Sequence, residues 1–162
     1  MSSHMQRLLI AALACAAALA GAAAAAAGPR ARTASGTVIE THDISSIGTV
    51  IAAANGHTLY MFSKDTRSHS ACTGACAAKW KPLLTVGAPT VKAGSKLTQS
   101  KVTTLTTAGA KTQVEYNGHP LYTYTGDTKA GQVNGSSAYQ FGGYWYALNS
   151  AGKQDNGLAP IY

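Results

Sequence analysis

His69, Cys72 and Cys76 fall within the stretch "HSACTGAC", and their side chains are the most reactive set in the chain. The C-x-x-x-C spacing places the two Cα atoms one helical turn apart, roughly 6 Å, which lies inside the disulfide range. In an oxidising compartment such a pair is expected to form a structural disulfide, contributing about 2 kcal/mol by loop closure. The same residues also make a soft sulfur, sulfur, nitrogen set suited to Cu(I). An extracytoplasmic redox or copper-handling role through Cys72, Cys76 and His69 is therefore the alternative reading. Covalent c-type haem would need a histidine directly after the second cysteine, and Ala77 stands there.

A second candidate is a phrase written twice. "NGHTLYMFSKDT" begins at Asn55 and "NGHPLYTYTGDT" at Asn117, with Asn, Gly, His, Leu, Tyr, Asp and Thr in common. Asp65 and Asp127 each close a predicted strand. There a carboxylate accepts backbone N–H groups in an Asx-type turn. A catalytic reading would pair the two as acid and base, or as cation ligands, but only the repeat relates them. His57 and His119 follow Asn-Gly in both copies, and two imidazoles without a third ligand make a weak metal site. The chain has no G-x-S-x-G, no H-E-x-x-H and no Walker-type glycine loop, so no enzyme is expected. No cofactor is expected beyond the copper of the alternative reading.

The elements that must hold these groups are mainly β. Asn55-Gly56 and Asn117-Gly118 are each flanked by apolar stretches, the pattern of a two-residue hairpin turn with positive φ at both positions. Strand alternation puts Tyr60 and Phe62 on one face, matched by Tyr122 and Tyr124. His57, Leu59 and Met61 lie on the other face, matched by His119, Leu121 and Thr123. Further strands are predicted at 102–106, 112–116 and 143–148. A short helix is predicted over 75–80, ended by Pro82. Trp80 and Trp145 follow the two hairpins at similar distances. The turn-rich stretch "TVGAPTVKAGSKLTQS" joins the copies. The expected fold is thus two internal repeats, about 47–86 and 100–153, each built on a β-hairpin, within one β-rich domain over 47–162.

Residues 28–46, including "GPRARTASGT", read as a flexible linker. Before them, Arg7 precedes the apolar run "LLIAALACAAALAGAAAAAA" with its small-residue end, the order of a signal peptide over 1–27. A retained anchor and lipid attachment at Cys15 are the rival fates of this segment; only seven apolar residues precede Cys15. The protein is therefore expected to be exported, either secreted or held at the cell envelope. The chain's formal net charge is +7, with lysines dispersed rather than interleaved with aromatics. That excludes a nucleic-acid pattern and favours loose attraction to an anionic cell-wall polymer or a membrane surface.

Tyr60, Phe62 and Asp65, then Tyr122, Tyr124 and Asp127, carry a likeness to a known family. They match the Yx(FWY)xxD motif of a bacterial secreted-repeat family described as predicted lipoproteins. "CTGACAAKWKPL" resembles that family's Cys-Thr-Gly-x-Cys…Trp-x-Pro-Leu segment, and "FGGYWYALNSAGK" its closing Trp-Tyr strand. Ala108-Gly109 stands where the family commonly has Asp-Gly. The resemblance implies a non-catalytic exported repeat module, structural or binding, and no activity, because the family's function is unknown.

Overall fold

A computed structural model describes residues 35–154. The expected signal peptide over 1–27, with Cys15, lies outside the described residues. In chain order the elements are β1 Val38–Ile44, β2 Gly48–Ala53, β3 Tyr60–Phe62, α1 Ala75–Lys79, β4 Trp80–Pro82 and β5 Leu84–Thr85. After them come β6 Thr90–Val91, a 3-10 turn Gln99–Lys101, β7 Val102–Thr106, β8 Thr112–Tyr116, β9 His119–Pro120, β10 Tyr122–Tyr124, β11 Ala138–Gln140 and β12 Gly143–Ala147. The mainly-β, two-repeat fold with one short helix is as expected. The helix stops at Lys79, because Trp80 turns extended (φ −110°, ψ 95°) and starts a strand.

The expected linker over 28–46 is corrected by β1, which pairs antiparallel with β2 and parallel with β6. Its composition is polar, yet Ile39 is fully buried and anchors it. The corresponding hairpin of the second repeat is β7–β8. The two copies of the repeated phrase turn differently. Asn117-Gly118 has φ of 52° and 81°, the two-residue turn the sequence predicts, with Tyr116 opposite His119. At Asn55-Gly56 only the glycine has positive φ, and Ala53 N–H bonds the His57 carbonyl across three residues. "TVIAAANGH" holds one residue more than "TQVEYNGH", and that residue converts the tight turn into a bulged one.

Both copies leave one sheet at this corner and enter another, of order β11-β12-β3-β10-β4. At its centre Tyr60 of β3 faces Tyr122 of β10. Outward from this pair the repeats exchange strands. The tryptophan strand of the second repeat, β12, pairs with β3, setting Trp145 opposite Phe62. The tryptophan strand of the first, β4, pairs with β10, setting Trp80 opposite Tyr124.

The rings follow the strands. Phe62 stacks on Trp145 (4.3 Å), Trp145 on Trp80 (3.9 Å) and Trp80 on Tyr124 (4.3 Å). This four-ring column draws alternately on the two repeats. Tyr60 and Tyr122 meet the tryptophans edge-on, at 5.3 and 5.1 Å; such arrangements contribute about 0.5–1.5 kcal/mol per pair beyond area burial. Both buried indole N–H groups donate to Gln140, one to its side-chain carbonyl and one to its backbone carbonyl. Gly135 lies under the column, where a Cβ would come within 2.6 Å of Trp80.

The opposite strand faces are buried too, in a second cluster holding Leu59, Leu121, Ile39, Ile51, Val114 and Leu148. Here the backbone closes two hydrogen-bonded triangles. Ile51 N–H donates to Leu148, Leu148 to Leu59, and Leu59 back to Ile51; Val114, Leu83 and Leu121 repeat the cycle. In each triangle one member comes from the other repeat.

With strands exchanged, neither half has a core of its own. Trp145→Ala is expected to destabilise the protein by about 3–5 kcal/mol while unfolding remains one cooperative transition. Denaturant titration followed by near-UV dichroism checks this; two separated transitions would contradict interlocked repeats.

Candidate functional site

The repeated aspartates do not meet each other. Tyr60 donates to Asp127 at 2.5 Å, and Tyr122 donates to Asp65 at 2.8 Å, so each motif tyrosine serves the aspartate of the other repeat. The second oxygen of each carboxylate takes a downstream backbone N–H, from Ala71 for Asp65 and from Asn134 for Asp127. The carboxylates therefore do tie down turns as the sequence suggests, over loops longer than an Asx turn. Phe62 and Tyr124, the middle residues of the motif, are in the ring column. All six motif residues are thus engaged in joining the repeats.

Burial raises the Asp65 carboxyl to about 6, against the opposing pull of the Ala71 and Tyr122 hydrogen bonds. Burial and the facing carboxylates push both the Tyr60 and Tyr122 hydroxyls above their ordinary value. His119 is lowered, by burial and then by the neighbouring Arg67.

Cys72 and Cys76 form a disulfide with Cα atoms 5.2 Å apart, both largely buried. A sulfur so bonded offers no thiolate to Cu(I). Among the described residues, no group of three or more His, Cys, Asp or Glu is placed to hold a metal ion. His69 is exposed and bridges back to Thr66. His57 and His119 are half-buried at their separate corners.

The disulfide loop forms one wall of an open groove of about 1020 Å³. The other walls are the end of β4 with Pro82 and Leu84, and the tip of the β7–β8 hairpin from Leu105 to Lys111. Lys81 and Lys111 line it, His69 and several Ser and Thr residues edge it, and no lining residue is acidic. In the sequence these lysines look like dispersed charge, 30 residues apart, and the fold sets both in the wall of one groove. Nor does the sequence mark Glu115, which is 1 % exposed and accepts Ser68 N–H at 2.7 Å and the Thr103 hydroxyl at 3.2 Å. Glu115 thereby fastens the groove's loop to β8. Its one signal is a carboxylate inside the strand "TQVEY", where the first repeat has Ala52.

Asp127 is 4 % exposed whereas Asp65 is half-buried, so loss of a hydroxyl donor should be felt unequally. Tyr60→Phe is expected to cost about 2 kcal/mol, and Tyr122→Phe less, because water still reaches Asp65. Equal losses on denaturant titration would contradict this. Asp65 also makes stability depend on pH. Its folded value exceeds its unfolded one, so the folded protein binds the extra proton and stability rises as pH falls from about 6 to 4. The depressed His119 acts in the opposite sense near neutral pH. The expected result is therefore a difference: Asp65→Asn lacks the rise, worth on the order of 1 kcal/mol after solvent screening, and a wild-type slope in the variant would refute it.

The family model described as a secreted repeat of unknown function matches the chain twice, at residues 41–84 and 103–149. The first match runs from β1 to Leu84 and the second from β7 to Asn149, so each contains one full set of exchanged strands. No curated protein and no solved structure matches the chain. Two matches over more than half its length, on the residues that build the duplicated core, place it: the chain belongs to the family of secreted repeats of unknown function.

Proposed function

We propose that this exported protein is a non-catalytic binding module that holds an anionic polymer of the cell exterior in the groove beside the disulfide. The observation that carries the reading is that Lys81 and Lys111 both line a groove with no acidic lining residue. An anionic chain there meets cations without meeting a like charge. The volume, about 1020 Å³, is at the upper end for small-molecule sites, and the open shape suits a segment of a longer chain. Pro82, Leu84 and Leu105 supply apolar contact, while the Ser and Thr hydroxyls on the rim supply hydrogen bonds. A hydrolytic reading is disfavoured because Asp65 and Asp127 are each held by a tyrosine of the other repeat. The disulfide then has a mechanical role: it fixes the wall of the groove.

The protein is expected to be retained on immobilised dextran sulfate, more weakly as salt rises, and not on neutral dextran. Lys81→Glu with Lys111→Glu should reduce retention about tenfold, an order of magnitude in affinity. Lys92→Glu with Lys96→Glu changes net charge equally, on lysines that sit beside Glu40 and Asp43. Equal losses in the two double variants would show that only overall charge matters.

A further inference from the structure

The β11–β12 hairpin carries a ridge of exposed rings that the duplicated core does not use. Tyr139, Phe141 and Tyr144 are 63, 44 and 42 % exposed. Tyr139 and Tyr144 are cross-strand partners with centroids 4.9 Å apart, and Tyr144 lies nearly parallel to Tyr146 at 6.0 Å. Trp145 between them points the other way and is fully buried. In the first repeat the chain enters its tryptophan strand from the disulfide helix, with no aromatic in "ACTGACAAK".

The tip of the hairpin bears a second mark. Phe141 and Gly142 have φ of 55° and 78°, nearly the values of Asn117 and Gly118, 52° and 81°. The same backbone turn is filled once with Asn, which tolerates positive φ, and once with Phe, which does not. A bulky ring kept in a strained conformation and turned to solvent points to a use for the ring.

The ridge is also held and charged. Ser63 and Tyr144 exchange hydrogen bonds, Tyr144 N–H to the Ser63 hydroxyl at 2.8 Å and Ser63 N–H to the Tyr144 carbonyl at 2.9 Å. Lys64 lies across the tip, its Nζ 3.2 Å from where a Cβ would stand on Gly142. Residues 138–147 contain no carboxylate.

We propose that this ridge binds an acidic polysaccharide, with pyranose faces stacked on Tyr139, Phe141 and Tyr144 and the acidic group paired with Lys64. The polarised C–H faces of a sugar ring are attracted to aromatic faces, as cations are for the same electrostatic reason. The tyrosine hydroxyls supply donors for sugar hydroxyls, and rings spread over β11, its turn and β12 offer more than one sugar a contact. Interfacial tyrosines are also met at lipid surfaces. Among the described residues, however, Lys64 is the one cation placed at the hairpin tip, and the tyrosine hydroxyls suit a sugar's hydroxyls, so the ridge is assigned to the polysaccharide. The site is distinct from the groove, since none of Lys64, Tyr139, Phe141 and Tyr144 lines it.

Polygalacturonate is the probe, in affinity electrophoresis of the full exported protein, with thermal unfolding measured in parallel. The wild type should be retarded by polygalacturonate and not by neutral dextran. Tyr139→Ala with Tyr144→Ala should reduce retardation about tenfold, and Lys64→Ala should weaken it and its salt dependence. Phe141→Asn is the discriminating variant: it should raise the unfolding temperature, since Asn suits the turn, while lowering retardation. Retardation unchanged in Phe141→Asn and in the tyrosine pair would overturn the proposal. So would abolition by Lys81→Glu with Lys111→Glu alone, which would place the polymer in the groove. Binding to vesicles of anionic phospholipid without retardation by polygalacturonate would assign the ridge to a membrane instead and overturn it equally.

Discussion

A carboxylate taken out of water must find donors inside the protein, and Asp127, 4 % exposed, finds one of its two in the hydroxyl of Tyr60. That donor belongs to the other repeat. The reciprocal bond from Tyr122 to Asp65 makes the dependence mutual. The rest of the fold is arranged around this exchange. With the two tyrosines opposed on β3 and β10, the tryptophan strand of each repeat lies beside the motif strand of the other, and the rings stack in alternation. Unpaired, a buried carboxylate costs several kcal/mol, so the aspartates select against any packing in which the halves stand apart.

Symmetry separates what builds the protein from what distinguishes it. The hairpins β1–β2 and β7–β8, the backbone triangles and the ring column each occur in twofold-related form. The disulfide loop occurs only before Trp80, and the tyrosine-bearing hairpin only before Trp145. Both insertions follow the motif aspartate, whose free oxygen fixes the start of the loop. A rigid duplicated frame thus presents two unlike loops, the usual way a fold acquires sites without disturbing its core.

Much of the frame is legible in the residues. Strands β7 and β8 are short β-branched and aromatic runs between turn signals, the Cys72–Cys76 spacing predicts its bond, and Asn117-Gly118 makes the expected turn. Strand β1 escaped because Ile39 alone of its seven residues is buried and four polar residues follow it, so that pairing rather than hydrophobic pattern holds it. The extra residue at Ala52–Ala54 is visible only when the copies are aligned through the strand that precedes them. The exchange of tyrosines and aspartates is not written locally at all. The motif spaces Tyr60 from Asp65, and a reader of that spacing looks for a contact within a repeat, whereas the partner lies 67 residues away. The groove shares this difficulty, since its lysines come from elements of two different sheets. Exposed tyrosines in "YQFGGYWY" look like core until alternation around Trp145 sends them outward.

The crossed pairs have a consequence for how such a molecule can arise. A chain holding one copy of the phrase would present a tyrosine without its acceptor, an aspartate without its donor and a tryptophan strand without its neighbour. All three wants are met at once by a second identical chain related by a twofold axis, because the contacts are self-complementary. The present polypeptide is in this sense a homodimer carried on one backbone. Carrying both halves on one backbone fixes the stoichiometry, removes any concentration dependence of assembly, and lets each half bear a loop that its counterpart lacks.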